Sequence, residues 1–90
     1  MQSDGKSKRL TASGDVFAGP ARLYGVYFVA GTSAGSITVK DGGSGGATVL
    51  ELTTPDDKSS SYLYFRTPIR CESTMYAALA DVAAVTFIYA

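Results

Sequence analysis

Residues 37–52 read ITVKDGGSGGATVLEL, two patterned runs joined by a cluster of glycines. Ile37 and Val39 alternate with Ser36, Thr38 and Lys40; beyond the glycines Thr48, Leu50 and Leu52 alternate with Val49, Glu51 and Thr53. A period of two marks strands with one buried face. The glycines between them give a β-hairpin, because glycine reaches the positive φ that tight turns need without steric cost. The segment Gly42-Gly43-Ser44-Gly45-Gly46 does not fit a phosphate cradle. A dinucleotide pattern needs glycine where Thr48 stands, the Lys-Ser/Thr of a phosphate loop is missing, and the sequence that follows is not a helix whose N-terminus would hold an anion. As the tip of a turn, Gly43 and Gly45 are small enough to lie against another protein's backbone, which makes them candidate contact residues.

Upstream, ARLYGVYFVA (21–30) places Leu23, Gly25, Tyr27 and Val29 on one side of a strand and Tyr24, Val26 and Phe28 on the other. Both sides are apolar, so this strand is expected to be covered twice, and Tyr24, Val26 and Phe28 are candidate residues for a subunit contact. Gly19-Pro20 and GTSAG (31–35) are turn signals around it. Downstream, TTPDDKSSS (53–61) reads as a loop, with Pro55 unable to donate to a ladder. YLYFR then sets Leu63 and Phe65 against Tyr62 and Tyr64, a second candidate contact pair, and after a break at Thr67-Pro68 the short run IRCE sets Ile69 and Cys71 on one face. The last stretch, TMYAALADVAAVTFIYA (74–90), alternates Met75, Ala77 and Leu79 before a break at 80–83, then Val85, Phe87 and Tyr89; its alanines leave a two-turn helix over 77–84 as the alternative. Seven or eight short strands about ten residues apart describe an all-β antiparallel sandwich or barrel, with consecutive hairpins. Residues 1–10 are polar and are expected to form a mobile arm, whose cluster of Lys6, Lys8 and Arg9 is either an ordinary solvated terminus or a dock for an acidic partner surface or nucleic acid; 11–90 form the single β-sandwich domain.

Composition narrows the function classes. Ninety residues make one domain, of a size at which oligomer contacts commonly assist stability. Eight basic residues balance eight acidic ones, so no net field draws the chain to nucleic acid. With no histidine, a Ser-His-Asp triad, a Cys-His pair and imidazole zinc sites are impossible. Cys71 is the one cysteine, so no internal disulfide forms, and its neighbours fit a buried small hydrophobe. Asp56 and Asp57 lack the further oxygen ligands, at set spacing, of a calcium loop. The start has no apolar signal-peptide core and no later run approaches a membrane span. The expectation is a non-enzymatic protein without cofactor or metal, made in the cytoplasm, with no nucleic-acid or membrane partner. Six tyrosines without tryptophan fit packing or a protein interface better than a sugar platform.

RLYGVYFVAGTSAGSITVKDGGSGGATVLELTTP, followed by IRCESTMYAALADVAAVTFIYA, resembles a group of very small β-rich proteins of tailed, particularly marine, bacteriophages. The shared outline is an aromatic strand, an AGS turn, a V-x-K-D-G-G-S-G-G hairpin, an IR-x-E-T-x-Y-A-x-L strand and a V-x-x-V-T-x-x-Y ending, covering 21–90. These are turn and packing signals, which specify a fold better than an activity. The resemblance implies a jelly-roll-like sandwich and a virion component: a capsid decoration (cement) protein bound to the major capsid protein, or a small head or tail accessory protein. No catalytic residue is implied. A self-association, with a trimer as the first expectation, would bury Tyr24, Val26 and Phe28 or Tyr62 and Tyr64, while the arm and one end of the sandwich grip the major capsid protein. A glycan- or receptor-binding tip using Tyr62, Tyr64 or the glycine loop, as part of a head or tail fibre, is the alternative.

Overall fold

The computed structural model describes residues 6–90, and every regular element in them is a strand: β1 (Lys6–Leu10), β2 (Gly14–Ala18), β3 (Ala21–Ala30), β4 (Gly35–Asp41), β5 (Ala47–Thr54), β6 (Ser60–Cys71), β7 (Thr74–Ala80) and β8 (Val82–Tyr89). The hairpin at the glycines is present, with Ile37 opposite Leu52 and Val39 opposite Leu50. Around it the remaining strands pair in nested order: β3 with β6, β2 with β7 and β1 with β8, all antiparallel. Successive pairs alternate between two sheets, ordered β1-β8-β3-β6 and β2-β7-β4-β5. One long hairpin has been rolled up, and the lateral pairings β3–β8 and β4–β7 close the roll. This is the eight-stranded jelly-roll arrangement of two packed sheets. Neighbours in the chain share a sheet only at β4–β5; the other expected hairpins are instead crossings from one sheet to the other.

The two inner faces make the core. Leu23, Val26 and Phe87 from one sheet and Ile37, Val39 and Met75 from the other are all 0% exposed and belong to one cluster. Burying each such side chain is worth about 1.5–3 kcal/mol relative to exposure. Cys71 joins them as the sequence indicated, also fully buried; burial first and the nearby Asp41 charge second push its thiol up to about 11, so it stays a neutral thiol at physiological pH.

Three expectations change, and one alternative falls away. Residues 6–10 are not an arm but an edge strand laddered onto β8 from Lys6–Tyr89 to Leu10–Val85; the remainder of the arm, 1–5, lies outside the described residues. Residues 60–71 are one strand, not two. The break at Thr67-Pro68 survives as an irregularity: Leu23 pairs with Ile69 and Gly25 with Tyr64, so residues 65–68 bulge opposite Tyr24 alone. Pro68 is tolerated because β6 is a sheet edge. The helix over 77–84 does not form; the chain crosses between sheets at Asp81, whose φ of 55° makes the corner, and strands flank it. Finally, the irregularity at Leu23/Gly25 shifts the phase of β3, so Leu23, Val26 and Phe28 all point inward and Tyr27 points out.

Polar groups secure the corners. Asp41, at the neck of the glycine turn, accepts the Glu72 backbone N–H on Oδ2 at 3.0 Å and the Ser73 N–H on Oδ1 at 2.9 Å, while Gly42 N–H donates to the Thr74 carbonyl at 2.8 Å. The apex of the roll is thereby lashed to the β6–β7 turn. At the other end, the buried Thr54 hydroxyl accepts the Gly35 N–H at 3.1 Å, and Ser13 Oγ accepts the Leu79 N–H at 2.8 Å. The two amides at Glu72 and Ser73 hold the Asp41 carboxyl below its ordinary value of 3.8. A lowered folded-state value contributes stability above that ordinary value and loses it as pH falls through the folded one. Replacing Asp41 with alanine should therefore lower the denaturation midpoint at pH 7, and the gap to the parent should narrow as pH drops below about 4. Asp57, likewise lowered by Ser59, is common to both proteins and cancels. A gap unchanged between pH 7 and pH 3 would show that the carboxylate charge plays no part.

Candidate functional site

The pairing of β3 with β6 assembles a surface that neither segment shows alone. With Val26, Phe28 and Leu63 turned inward, Tyr27 stands directly opposite Tyr62, and Gly25 opposite Tyr64, on the outer face of the β1-β8-β3-β6 sheet. Tyr27, Tyr62 and Tyr64 are 42%, 52% and 65% exposed, the large hydrophobics most open to solvent among the described residues. Gly25 matters here through what it lacks. A Cβ on it would stand 2.9 Å from the Tyr62 hydroxyl and 3.0 Å from the Leu63 carbonyl, so the bare backbone lets the Tyr62 ring lie over it.

The same register carries the face across the sheet. Tyr27 pairs with Thr86 of β8, which pairs with Arg9 of β1; Gly25 pairs with Ile88, which pairs with Ser7. Two rows result, Arg9-Thr86-Tyr27-Tyr62 and Ser7-Ile88-Gly25-Tyr64, each spanning about 15 Å at the usual interstrand spacing. The opposite outer face is more polar: Ser36, Thr38 and Lys40 of β4 lie beside Thr53, Glu51 and Thr48 of β5 and Ala80, Ala78 and Tyr76 of β7, and that tyrosine is half-buried. Tyrosine presents an apolar ring and a hydroxyl at little conformational cost, which suits a surface meant to be covered by a partner.

The other candidate residues are scattered. Val26 and Phe28, 0% and 6% exposed, are core residues and unavailable to a partner; Tyr24 sits half-buried at the bulge. Val26 and Phe28 are therefore withdrawn from the contact expected there, and the exposed ring of β3 is Tyr27, on the opposite side. The basic cluster divides. Lys6 and Lys8 pair with Tyr89 and Phe87 and so stand on the core-facing side at the open sheet edge, with Lys6 Nζ 5.5 Å from the centroid of Phe17, itself 5.5 Å from Tyr89. Inward lysines on an edge strand discourage edge-to-edge pairing with another chain. Arg9 alone of the three joins the tyrosine face. Gly43 and Gly45 are at the hairpin tip, on the other sheet, where a Cβ on either would meet nothing within 4 Å.

Among the described residues no three His, Cys, Asp or Glu side chains come together as a metal site. A shallow groove of about 120 Å³ is lined by Pro20, Ala21, Arg22, Arg70 and Ala90. Sequence reading missed Tyr27 because the bulge that re-phases β3 has no local signature; Gly25 inside a strand pattern was the available hint. It missed the corner roles of Ser13 and Asp41 because their partners are 66 and 31–32 residues away. Compared with known proteins by sequence, the chain matches no family model and no curated protein.

The tip glycines are not equivalent, and substitution should separate them. Gly45 has open space, so Gly45→Ser should change stability by no more than about 0.5 kcal/mol. A Cβ on Gly46 would collide with the Asp41 carbonyl, and Gly46→Ala should cost about 1–3 kcal/mol in urea denaturation. Equal losses at the two positions would contradict this geometry.

Proposed function

We propose that this chain is a non-enzymatic structural protein of a phage virion, of the capsid decoration type, which docks on the major capsid protein through the outer face of the β1-β8-β3-β6 sheet. The observation that carries the proposal is the gathering of Tyr27, Tyr62 and Tyr64 on one sheet face. Three large rings left in water are a standing free-energy gain for any partner that covers them. The resemblance of 21–90 to small phage proteins supplies the setting, and the jelly roll is an architecture that capsid and lectin domains share, a support at the level of analogy. A capsid offers the same surface many times over, so each contact can be weak while neighbouring copies hold one another in place. A homo-oligomer, with a trimer first, belongs to the same proposal: in a cyclic trimer each subunit contributes two different surfaces to its neighbours, leaving this face toward the capsid.

The second function, a glycan-binding module of a head or tail fibre, is favoured by one feature, the Tyr62 ring lying over Gly25 as a sugar-stacking plane would. Quantitative mass spectrometry of purified particles separates the possibilities. Decoration requires hundreds of copies on the head, and a double change of Tyr62 and Tyr64 to alanine should remove the protein from particles while it remains folded. A handful of copies at one vertex would move the protein to a connector or tail position, and complete absence from particles would overturn the proposal.

A further inference from the structure

The chain is neutral, but its charges are sorted by sheet. The four strands β1, β8, β3 and β6 contain Lys6, Lys8, Arg9, Arg22, Arg66 and Arg70, six of the eight basic residues, and not one Asp or Glu. The acids of the described residues lie on the other sheet, as Asp15, Asp41 and Glu51, or in the connections, as Asp56, Asp57, Glu72 and Asp81. On the outer face itself, Arg22 and Arg70 are directly paired across β3 and β6, both exposed, with inward Leu23 and Ile69 next to them. Like charges in opposed positions destabilise a ladder. The pair flanks the groove formed with Pro20, Ala21 and Ala90, and Arg9 marks the far side of the same face.

Resting on the docking face proposed above, we infer the chemistry of its partner: an acidic protein surface, whose Asp and Glu carboxylates are received by Arg22 and Arg70 at the groove and by Arg9 across the sheet, around a centre of tyrosine contact. Guanidinium groups bind carboxylates through two parallel hydrogen bonds, and arginine and tyrosine are both enriched at interface hot spots. An incoming carboxylate also relieves the repulsion between the paired arginines. A second copy placed face to face about a two-fold axis is disfavoured, because this sheet carries arginines and no acidic residue to receive those of its copy. A nucleic acid fits less well, since a polyanion longer than the face would run along the strands into Asp56, Asp57 and Asp81 at one end of the sandwich and Glu72 at the other.

The test uses the full chain and immobilised poly-L-glutamate, with a thymidine 30-mer and poly-L-lysine as comparison surfaces. The parent should bind poly-L-glutamate, more weakly as salt is raised, and ignore poly-L-lysine. Arg22→Glu with Arg70→Glu should reduce binding at least about tenfold, the equivalent of one charge-assisted pair. Arg22→Gln with Arg70→Gln should fall between, and melting curves should show both variants folded. Unchanged binding in both variants overturns the inference, as does tighter, arginine-dependent binding to the thymidine oligomer, which would assign the face to nucleic acid. The two readings fail separately: particles that lose the protein on changing Tyr62 and Tyr64 but keep the double glutamate variant would retain the docking face and discard the acidic partner, whereas particles that keep the Tyr62 and Tyr64 variant would discard the docking face itself.

Discussion

Everything in this jelly roll is registered from the pairing of β4 with β5 around the glycine tip. That hairpin is the innermost of four nested antiparallel pairs, and each outer pair spans the strands of the one inside it. Its register puts Ile37 and Val39 in the core, and β7 then adds to the free edge of β4, with Leu79 opposite Ile37 and Ala77 opposite Val39. Asp41 converts the turn into an anchor by binding two successive amides of the β6–β7 connection. The glycines that first look like a ligand cradle are the pivot of the roll, and their freedom is spent on positive φ at Gly42 and Gly43 and on close approach at Gly46.

The tyrosine face follows from the next pair outward. When β3 meets β6, an irregularity on both strands absorbs the Thr67-Pro68 break and rotates the phase of β3 by one residue. A one-residue shift exchanges the two faces of a strand. Val26 and Phe28 thereby enter the core and Tyr27 comes out beside Tyr62 and Tyr64. Rolling the chain also sorts its charges, because the strands that carry arginine fall in one sheet and those that carry acids in the other. A chain of zero net charge therefore presents two electrostatically unlike sides, which composition alone conceals.

How much of this was legible beforehand depends on the range of the interaction. The hairpin at 37–52, the inward sets of Ile37 and Val39 and of Val85, Phe87 and Tyr89, and the all-β sandwich follow from local period-two patterning and turn chemistry. The exposure of Tyr62 and Tyr64 follows from the same alternation. What local pattern could not reveal is anything set by a partner far along the chain. Residues 6–10 looked like a polar tail because a sheet edge needs little apolar character, and only β8, some eighty residues on, makes them a strand. Tyr27 and the Arg22–Arg70 pair likewise exist as features only once β6 lies beside β3.

The central claim is that the tyrosine-bearing sheet face is the surface this protein uses. Hydroxyl-radical footprinting of the free chain and of the chain incorporated into phage particles reads that surface directly, residue by residue. Tyr27, Tyr62 and Tyr64 should lose most of their labelling in the particle, while Tyr76, half-buried on the other sheet, should keep its own. Equal labelling of the three tyrosines in both states, with protection appearing instead on the β2-β7-β4-β5 face or at the glycine tip, would contradict the claim.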